Sequence, residues 1–290
     1  MVKSNKITPK SVLTGAVLRI ILIAFLFMVV VPLLWTIMQS FKTSKEFFAD
    51  PWALPGAFNF TNYVSAWEKA NMSAFFFNSI YVTLVSTGFL MLLAVPTSYC
   101  LARFKFFGGE LIMLAMTLGL FIQPTYILVP LFLLVPLFLL VAKLNLLNNL
   151  TALGLIYAII QLPFSIFILT GFIKGVSKEY EEAAEIDGCT RLQTIRHVVL
   201  PMIKPGMLTV LIFNFMGFWN EYAMAFTLLT LPEKQTLPVG LQNLMEVQRF
   251  STDWGALFAG MVIVIIPTVI VYAFLNKKLT EAVNVGGLKG

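Results

Sequence analysis

The chain has 290 residues, of which 59% are hydrophobic and only 12% are charged. An ordinary soluble domain carries roughly 25% charged residues, so this composition excludes one and indicates a membrane protein. The formal net charge is +6, which raises the question of where the positive side chains lie.

The hydrophobic residues fall in six runs of about 20 residues, the length that a helix needs to cross ~30 Å of hydrocarbon. The first run follows several lysines like a signal peptide, but its apolar core is too long and no small-residue cleavage site follows. We therefore expect an all-α polytopic membrane protein with six transmembrane helices. In chain order, the predicted spans cover residues 17–38, 74–101, 111–134, 151–173, 207–231 and 256–276.

The positive charges predict the orientation of these spans. With the N-terminus inside, the inner segments hold 14 of the 20 Lys and Arg residues and the outer segments hold 6. This asymmetry predicts that both ends are cytoplasmic, and it explains the net charge without a nucleic-acid partner. The predicted divisions are an N-terminal tail (1–16), a six-span domain (17–276) that includes a cytoplasmic loop (174–206), and a C-terminal tail (277–290).

Between the first two spans, residues 40–72 form an outer segment that is rich in aromatic residues, which favours an interfacial collar over a dedicated binding site. The third predicted span runs into an exact tandem repeat, VPLFLL at 129–134 and again at 135–140. Pro130 and Pro136 each remove a backbone donor, so we expect a kink or a break there.

The fifth predicted span contains the main polar group of the membrane region, Asn220 and Glu221 after Trp219. In a continuous helix Glu221 would lie ~21 Å from residue 207, past the midplane toward the outside. An acid at this depth is a candidate for the transport path, while helix packing or a solvated outer vestibule would also account for it. Gln123 and Gln161 are weaker candidates of the same kind.

The loop at 174–206 contains the stretch EYEEAAEIDGCTRLQTIRHVVLP. We expect a helix from residue 178, capped by Ser177, with its acidic residues in the first turns and Gly188 at its end. Thr190 and Gln193 have the spacing of a capping box that opens a second helix. Leu192, Ile195 and Val199 then form an apolar stripe. Residues alone leave two interpretations open, a solvated loop or a helix that docks into a groove on a partner through small side chains.

Catalytic and metal-binding patterns are lacking in the sequence. His197 is the only histidine, and the two cysteines, Cys100 and Cys189, fall on the predicted cytoplasmic side, where a disulfide is not expected. There is no G-x4-G-K-[ST] phosphate loop, so we expect no ATP site, no cofactor and no metal in this chain.

The loop resembles the EAA loop of ATP-binding-cassette (ABC) importer permeases, E-A-A-x3-G-x9-I-x-L-P. The matching residues are Glu182, Ala183, Ala184, Gly188, Leu200 and Pro201, with Val198 in place of Ile. Further stretches, among them SFKTSKEFF, SYCLARFKFFGGE, LPFSIFILTGFI and FWNEY, are similar to the carbohydrate-uptake branch and within it to the smaller maltose-type permease. The doubled VPLFLL departs from that branch, which leaves the register of the third span open.

The resemblance implies a bacterial inner-membrane permease that pairs with a second permease and imports a sugar. It also implies two cytoplasmic ATPase subunits, which carry ATP and Mg, and an extracellular substrate-binding protein. The EAA loop would be the coupling helix, and the tail VNVGGLKG would also contact the ATPase. The implied contacts are Glu182, Ala183, Ala184, Asp187, Gly188, Leu200 and Pro201 in the loop, and Gly286, Gly287 and Lys289 in the tail.

An ion-coupled secondary transporter or a channel is the alternative, since Glu221 could serve as a proton site. Such transporters often contain inverted repeats, and no repeat of half the chain is present. A membrane enzyme is a third class, but it would need a nucleophile–base or metal pattern that this sequence lacks. We take Asn220, Glu221, Trp219 and Gln123 as candidates for the substrate path.

Overall fold

The computed structural model describes residues 9–69, 71–121, 135–248 and 253–287, with side chains for most of them. Regular structure in these ranges is helical, with two π-helical stretches, Ser65–Lys69 and Ile195–Val199, and a 3₁₀ turn at Pro232–Lys234. The α-helices are α1 (Pro9–Gln39), α2 (Ser44–Ala49), α3 (Thr61–Val64), α4 (Met72–Arg103), α5 (Gly109–Gly119), α6 (Val135–Lys143), α7 (Leu150–Gly175), α8 (Glu179–Ile186), α9 (Arg191–Thr194), α10 (Leu200–Met202), α11 (Lys204–Trp219), α12 (Ala223–Leu228), α13 (Leu237–Gln248) and α14 (Trp254–Gly287).

Among the described residues, four helical stretches are long and apolar enough to cross a membrane: Gly15–Gln39, Met72–Arg103, Leu150–Gly175 and Trp254–Asn276. They correspond to the predicted first, second, fourth and sixth spans. The helix of the third span, α5, is 11 residues long, and the following residues 122–134 lie outside the described ranges. The first VPLFLL copy falls there too, while the second copy is helical in α6.

The prediction of a continuous fifth span over 207–231 is wrong. Helix α11 ends at Trp219, and after a break the chain starts the short helix α12. The Asn220 side-chain amide donates to the carbonyl of Met216 at 2.9 Å, while the Glu221 carboxylate accepts the amides of Met224 and Ala225. These polar side chains close one helix and open the next. The stretch Arg191–Met202 and α11 count as one further candidate span only if they are taken as a pair bent by 72°. The described residues therefore give four or five candidate spans, and the predicted number of six is not confirmed exactly.

The chain divides into two compact units, and the larger comprises residues 71–243 and 264–290. Its core lies where α4 packs along α7, around buried residues that include Val82, Leu90, Leu153 and Leu169. Gly206 at the start of α11 allows a close approach to α7, because a Cβ there would lie 2.5 Å from the Phe172 ring. Small residues let membrane helices come close and gain van der Waals contacts. These contacts matter because lipid provides no hydrophobic driving force for helix association.

The smaller unit comprises residues 1–70 and 244–263. Its polar centre is the Pro51 carbonyl, which accepts from Trp35 Nε1 at 3.2 Å, from Lys42 Nζ at 3.2 Å and from the Gln39 side chain. These bonds fix the outer segment to the end of α1. Trp52 is 74% exposed, and the rings of Phe58 and Phe60 are exposed as well. The interfacial collar stays a prediction.

A capping box opens α2 in this unit. The backbone amide of Thr43 donates to Glu46 Oε2 at 2.8 Å, and the Thr43 hydroxyl donates to the same oxygen. These hydrogen bonds, led by the one from the backbone amide, lower the pKa of the Glu46 carboxyl below its ordinary value.

At the C-terminal end, α14 continues without a break from the sixth span to Gly287. The predicted tail at 277–290 is therefore not separated from the span, and Gly286 and Gly287 are part of the helix. Lys289 lies outside the described residues.

Candidate functional site

The loop at 174–206 folds as the predicted helix, glycine turn and second helix, which we call the hairpin (residues 177–203). The Ser177 hydroxyl accepts the amide of Glu179 at 3.3 Å, so α8 starts one residue later than expected. Gly188 has a φ of +81°, the left-handed conformation that ends a helix where a Cβ would be strained. Gln193 Oε1 accepts the amide of Thr190 at 2.7 Å and opens α9.

The two alanines of the hairpin face in different directions. Ala184 is only 7% exposed, buried within this chain, whereas Ala183 is exposed beside Glu182. Of the two alanines that are expected to contact a partner, only Ala183 is therefore exposed in this chain. Asp187 and Gly188 are exposed as well.

The predicted apolar stripe of the second helix is only partly buried. Val199 is 1% exposed, but Leu192 is 75% exposed. On the first helix, Ile186 is 87% exposed. Near the end of the hairpin, Leu200 is half-buried and Pro201 is exposed.

Long-range polar contacts fix the hairpin to the end of α4. The Glu181 carboxylate accepts Arg103 Nε at 2.5 Å and the Tyr99 hydroxyl at 2.7 Å. Arg103 also donates to the carbonyl of Val176 at 2.9 Å. The Arg191 guanidinium lies 4.8 Å from the centre of the Phe104 ring. The sequence did not indicate these pairs, since nothing local distinguishes Glu181 from its acidic neighbours.

A cavity of about 380 Å³ opens beside the break between α11 and α12. The Glu221 carboxylate is half-buried at its edge and accepts the amides of Met224 at 2.8 Å and Ala225 at 3.0 Å, together with the Tyr157 hydroxyl. Glu221 thus caps α12 and does not lie within a continuous helix as predicted. The lining residues are Tyr157, Ile160, Gln161, Gly217, Phe218, Asn220, Glu221, Tyr222, Ala223 and Met224.

The cavity contains some of the residues predicted for a substrate path. Asn220 and Glu221 line it, as does the weaker candidate Gln161, but Trp219 does not. Trp219 is 2% exposed and donates from Nε1 to the carbonyl of Val264 at 3.1 Å, so it serves packing on another side of α11. Gln123 lies outside the described residues.

Tyr157 is a lining residue that the sequence reasoning missed. A signal was present, because Tyr157, Gln161 and Ser165 recur every four residues along an otherwise apolar helix. Within the cavity, the carboxylate, phenol and amide groups can accept and donate hydrogen bonds to a polyhydroxylated molecule. No group of three or more His, Cys, Asp or Glu side chains suited to a metal occurs in the part of the chain that the structure describes.

Comparisons with known proteins place this fold in a family. A sequence model of the family described as "Binding-protein-dependent transport system inner membrane component" matches residues 72–284. The "Diacetylchitobiose uptake system permease protein NgcG" of Streptomyces coelicolor is 37% identical over 272 residues, which are 94% of this chain and 88% of that protein.

A second relative is the "Sulfoquinovosyl glycerol transport system permease protein SmoH" of Agrobacterium fabrum. It is 35% identical over 89% of this chain and 88% of its own length. Among solved structures, a chain of a bacterial ABC transporter involved in the import of alginate superposes with a TM-score of 0.76 at 22% identity. That superposition covers 93% of this chain and 98% of the other, and it shows a shared fold. The chain belongs to the family of binding-protein-dependent transport system inner membrane components, the multi-pass permeases of ABC importers.

Proposed function

We propose that this chain is the permease subunit that moves a small saccharide or glycoside into the cytoplasm, driven by ATP hydrolysis on separate subunits. The observation that carries the substrate class is the cavity beside Glu221, taken with the uptake systems named for the relatives. Both named relatives belong to systems for glycosidic molecules.

The cavity has the size and chemistry for such a ligand. Its volume of about 380 Å³ lies within the ~300–1,000 Å³ of small-molecule sites. Gln161 and Asn220 each offer a donor and an acceptor, and Glu221 offers acceptors beside the Tyr157 hydroxyl. Tyr222 and Phe218 add apolar ring surface against which a sugar face can pack. The Glu221 carboxylate accepts hydrogen bonds from three donors, which hold it in one position at the cavity.

The hairpin is proposed as the surface that engages the ATPase. Support comes from its exposed edge, where Glu182 and Ala183 lie beside the exposed Ile186. A helix with a small residue and apolar neighbours suits a groove on a partner. Asp187, Gly188, Leu200 and Pro201 complete the proposed contact. Gly286, Gly287 and Lys289 at the end of the chain are proposed to add a second contact.

The assembly that we propose contains this chain, a second permease, two ATPase subunits that bind ATP and Mg, and an external substrate-binding protein. Both termini lie in the cytoplasm. The family description names dependence on a binding protein, and the remaining stoichiometry follows the resemblance to maltose-type permeases.

A reconstituted complex tests this proposal. The chain would be co-purified with its genomic partners and placed in proteoliposomes, and ATP hydrolysis and uptake would be measured across a panel of mono- and disaccharides with the binding protein present. We expect at least one saccharide to stimulate both. If no saccharide does so while amino acids or ions stimulate them, the proposed substrate class is wrong.

Cavity variants locate the path within the same assay. Gln161→Met keeps the side-chain volume and removes both polar groups, so we expect saccharide uptake to fall about tenfold, the effect of losing one or two net hydrogen bonds. Ile159→Met lies on the same helix at an exposed position outside the cavity lining and serves as the control. Equal uptake by the two variants would exclude the cavity from the path.

A further inference from the structure

Two ion pairs hold the hairpin, and they differ in burial. Arg103 and Glu181 meet at 2.5 Å with side-chain exposures of 7% and 13%. Arg191 and Glu185 meet at 3.7 Å with exposures of 59% and 56%. An exposed pair contributes little to stability because water and salt screen it. The buried pair therefore needs a separate explanation.

Burial of an ion pair is a poor way to gain stability, because desolvation of the two charges offsets their attraction. Such a pair does fix geometry, since moving either partner alone would leave an uncompensated buried charge. Here the Glu181 carboxylate also accepts a hydrogen bond from the Tyr99 hydroxyl, and the Arg103 guanidinium donates a second hydrogen bond to the carbonyl of Val176. The group consequently permits one arrangement of the hairpin against the ends of α4 and α7.

Apolar packing also attaches the hairpin to the ends of α4 and α7. Tyr99 forms a buried cluster with Ile173 at the end of α7 and with Val199 and Ile203 of the hairpin, each at most 5% exposed. Tyr99 and Arg103 stand four residues apart on α4, on one face of the helix. The first helix of the hairpin is thus held by Glu181 and the second by the cluster. The two attachments prevent the hairpin from pivoting about a single point.

We propose that Tyr99, Arg103 and Glu181 form a clamp of positioning residues that makes the hairpin and the cytoplasmic ends of α4 and α7 move together. This inference rests on the proposed function, in which an ATPase displaces the hairpin. It assigns different roles to two adjacent acids. The exposed Glu182 faces the ATPase, whereas the buried Glu181 transmits the displacement to the membrane helices.

The clamp predicts a specific failure, the loss of coupling without the loss of binding. In the purified complex, Tyr99→Phe and Glu181→Gln each remove a polar contact and leave Glu182 and Ala183 in place. We expect ATPase subunits to bind as in the wild type, while molecules of substrate imported per ATP hydrolysed fall about tenfold, within the ~5–150-fold range of coupling between sites. The import-to-hydrolysis ratio of the double variant should be no lower than that of the more affected single variant, because both changes remove the same contact between the hairpin and α4.

Controls separate this role from ordinary stabilisation. Glu185 lies on the same helix as Glu181, and Glu185→Gln breaks only the exposed pair with Arg191. This variant should leave the import-to-hydrolysis ratio unchanged. Tyr99→Phe keeps the ring in its buried cluster, so it tests the clamp even if Glu181→Gln assembles poorly. A reversible rescue uses Arg103→Cys with Glu181→Cys in a background of Cys100→Ser and Cys189→Ser. A short bis-methanethiosulfonate crosslinker, which forms a disulfide with each cysteine by releasing methanesulfinate, should restore the ratio, and reduction of these disulfides should abolish it again.

Two outcomes would overturn the clamp. An unchanged import-to-hydrolysis ratio in both Tyr99→Phe and Glu181→Gln would show that the clamp does not transmit movement of the hairpin to the membrane helices. Loss of the bound ATPase in Glu181→Gln, with a normal ratio in the complexes that remain, would make Glu181 a docking residue. Failure of the proposed function would look different, because then the wild-type chain itself would recruit no ATPase.

Discussion

At the scale of single residues, Gly188 shows how one backbone conformation sets the shape of the hairpin. Its φ is +81°, and a Cβ added there would meet no atom within 4 Å. The requirement for glycine is therefore one of backbone strain and not of space. A residue with a Cβ pays ~1–2 kcal/mol in this conformation, and a β-branched residue pays more.

Gly188→Val is expected to weaken ATPase binding about 5–30-fold, the factor that ~1–2 kcal/mol represents. Gly188→Asn is the matched control, because asparagine tolerates the left-handed region and should keep most of the affinity. Affinity would be measured by titrating the purified ATPase onto the permease pair. Equal affinities for the two variants would show that the turn does not need this conformation.

Glu46 gives a pH-dependent prediction in the outer segment. Its folded pKa is lowered from 4.5, chiefly by the backbone amide of Thr43. The capping box therefore stabilises α2 fully above the ordinary pKa of 4.5, and this stabilisation is lost as the pH falls through the lower pKa of the folded state. Hydrogen exchange of residues 43–56 should match that of Glu46→Gln at low pH and be slower than in the variant near neutral pH. A constant difference at all pH values would contradict the assignment.

At the scale of elements, the first helix of the hairpin presents one alanine outward and buries the next. We expect Ala183→Trp to leave the hairpin folded and to block the ATPase, because the indole would occupy the docking surface. Ala184→Trp has no room within the chain and should destabilise the hairpin by ~1–3 kcal/mol or more.

Limited proteolysis of the hairpin, together with ATPase pull-down, separates the two variants. Ala184→Trp should become protease-sensitive, and Ala183→Trp should not, although both lose the ATPase. Ala183→Ser serves as the control for size. Normal ATPase recovery by Ala183→Trp would remove this face of α8 from the proposed interface.

The break after α11 interrupts a stretch that is apolar enough to span a membrane. Apolar residues 207–231 have the length of a span, yet the helix ends at Trp219. Asn220 and Glu221 satisfy backbone groups at the break, and irregular backbone at membrane depth is tolerated where it lines a cavity. The helix break and the cavity therefore share Asn220 and Glu221.

At the scale of the whole molecule, the charge distribution predicts cytoplasmic ends and opposite sides for the outer segment and the hairpin. Leu54 and Ile186 are 82% and 87% exposed, so both can be labelled. With Cys100 and Cys189 replaced by serine, Leu54→Cys in intact cells should react with an impermeant maleimide. In cells that lack the ATPase subunits, which are proposed to cover this face, Ile186→Cys should react only after permeabilisation. The reverse pattern would invert the topology.

Local features of the fold could be predicted because they depend on neighbouring residues. The long apolar runs that form α1, α4, α7 and α14 can be recognised from the order of apolar residues along the chain. The Gly188 turn and the Thr190–Gln193 capping box each involve residues no more than a few positions apart. The EAA pattern further identified the family before any contact was known.

The tertiary structure alone decided which side chains meet. Glu181 and Arg103 are 78 residues apart, and Tyr157 and Glu221 are 64 apart. It also buried Ala184 and left Ala183 exposed, and it turned Trp219 away from the cavity. Sequence determined the helices because hydrogen bonding and hydropathy act over one or two turns. Partners across the bundle depend on how helices rotate and pack against one another, which no short stretch of this sequence encodes.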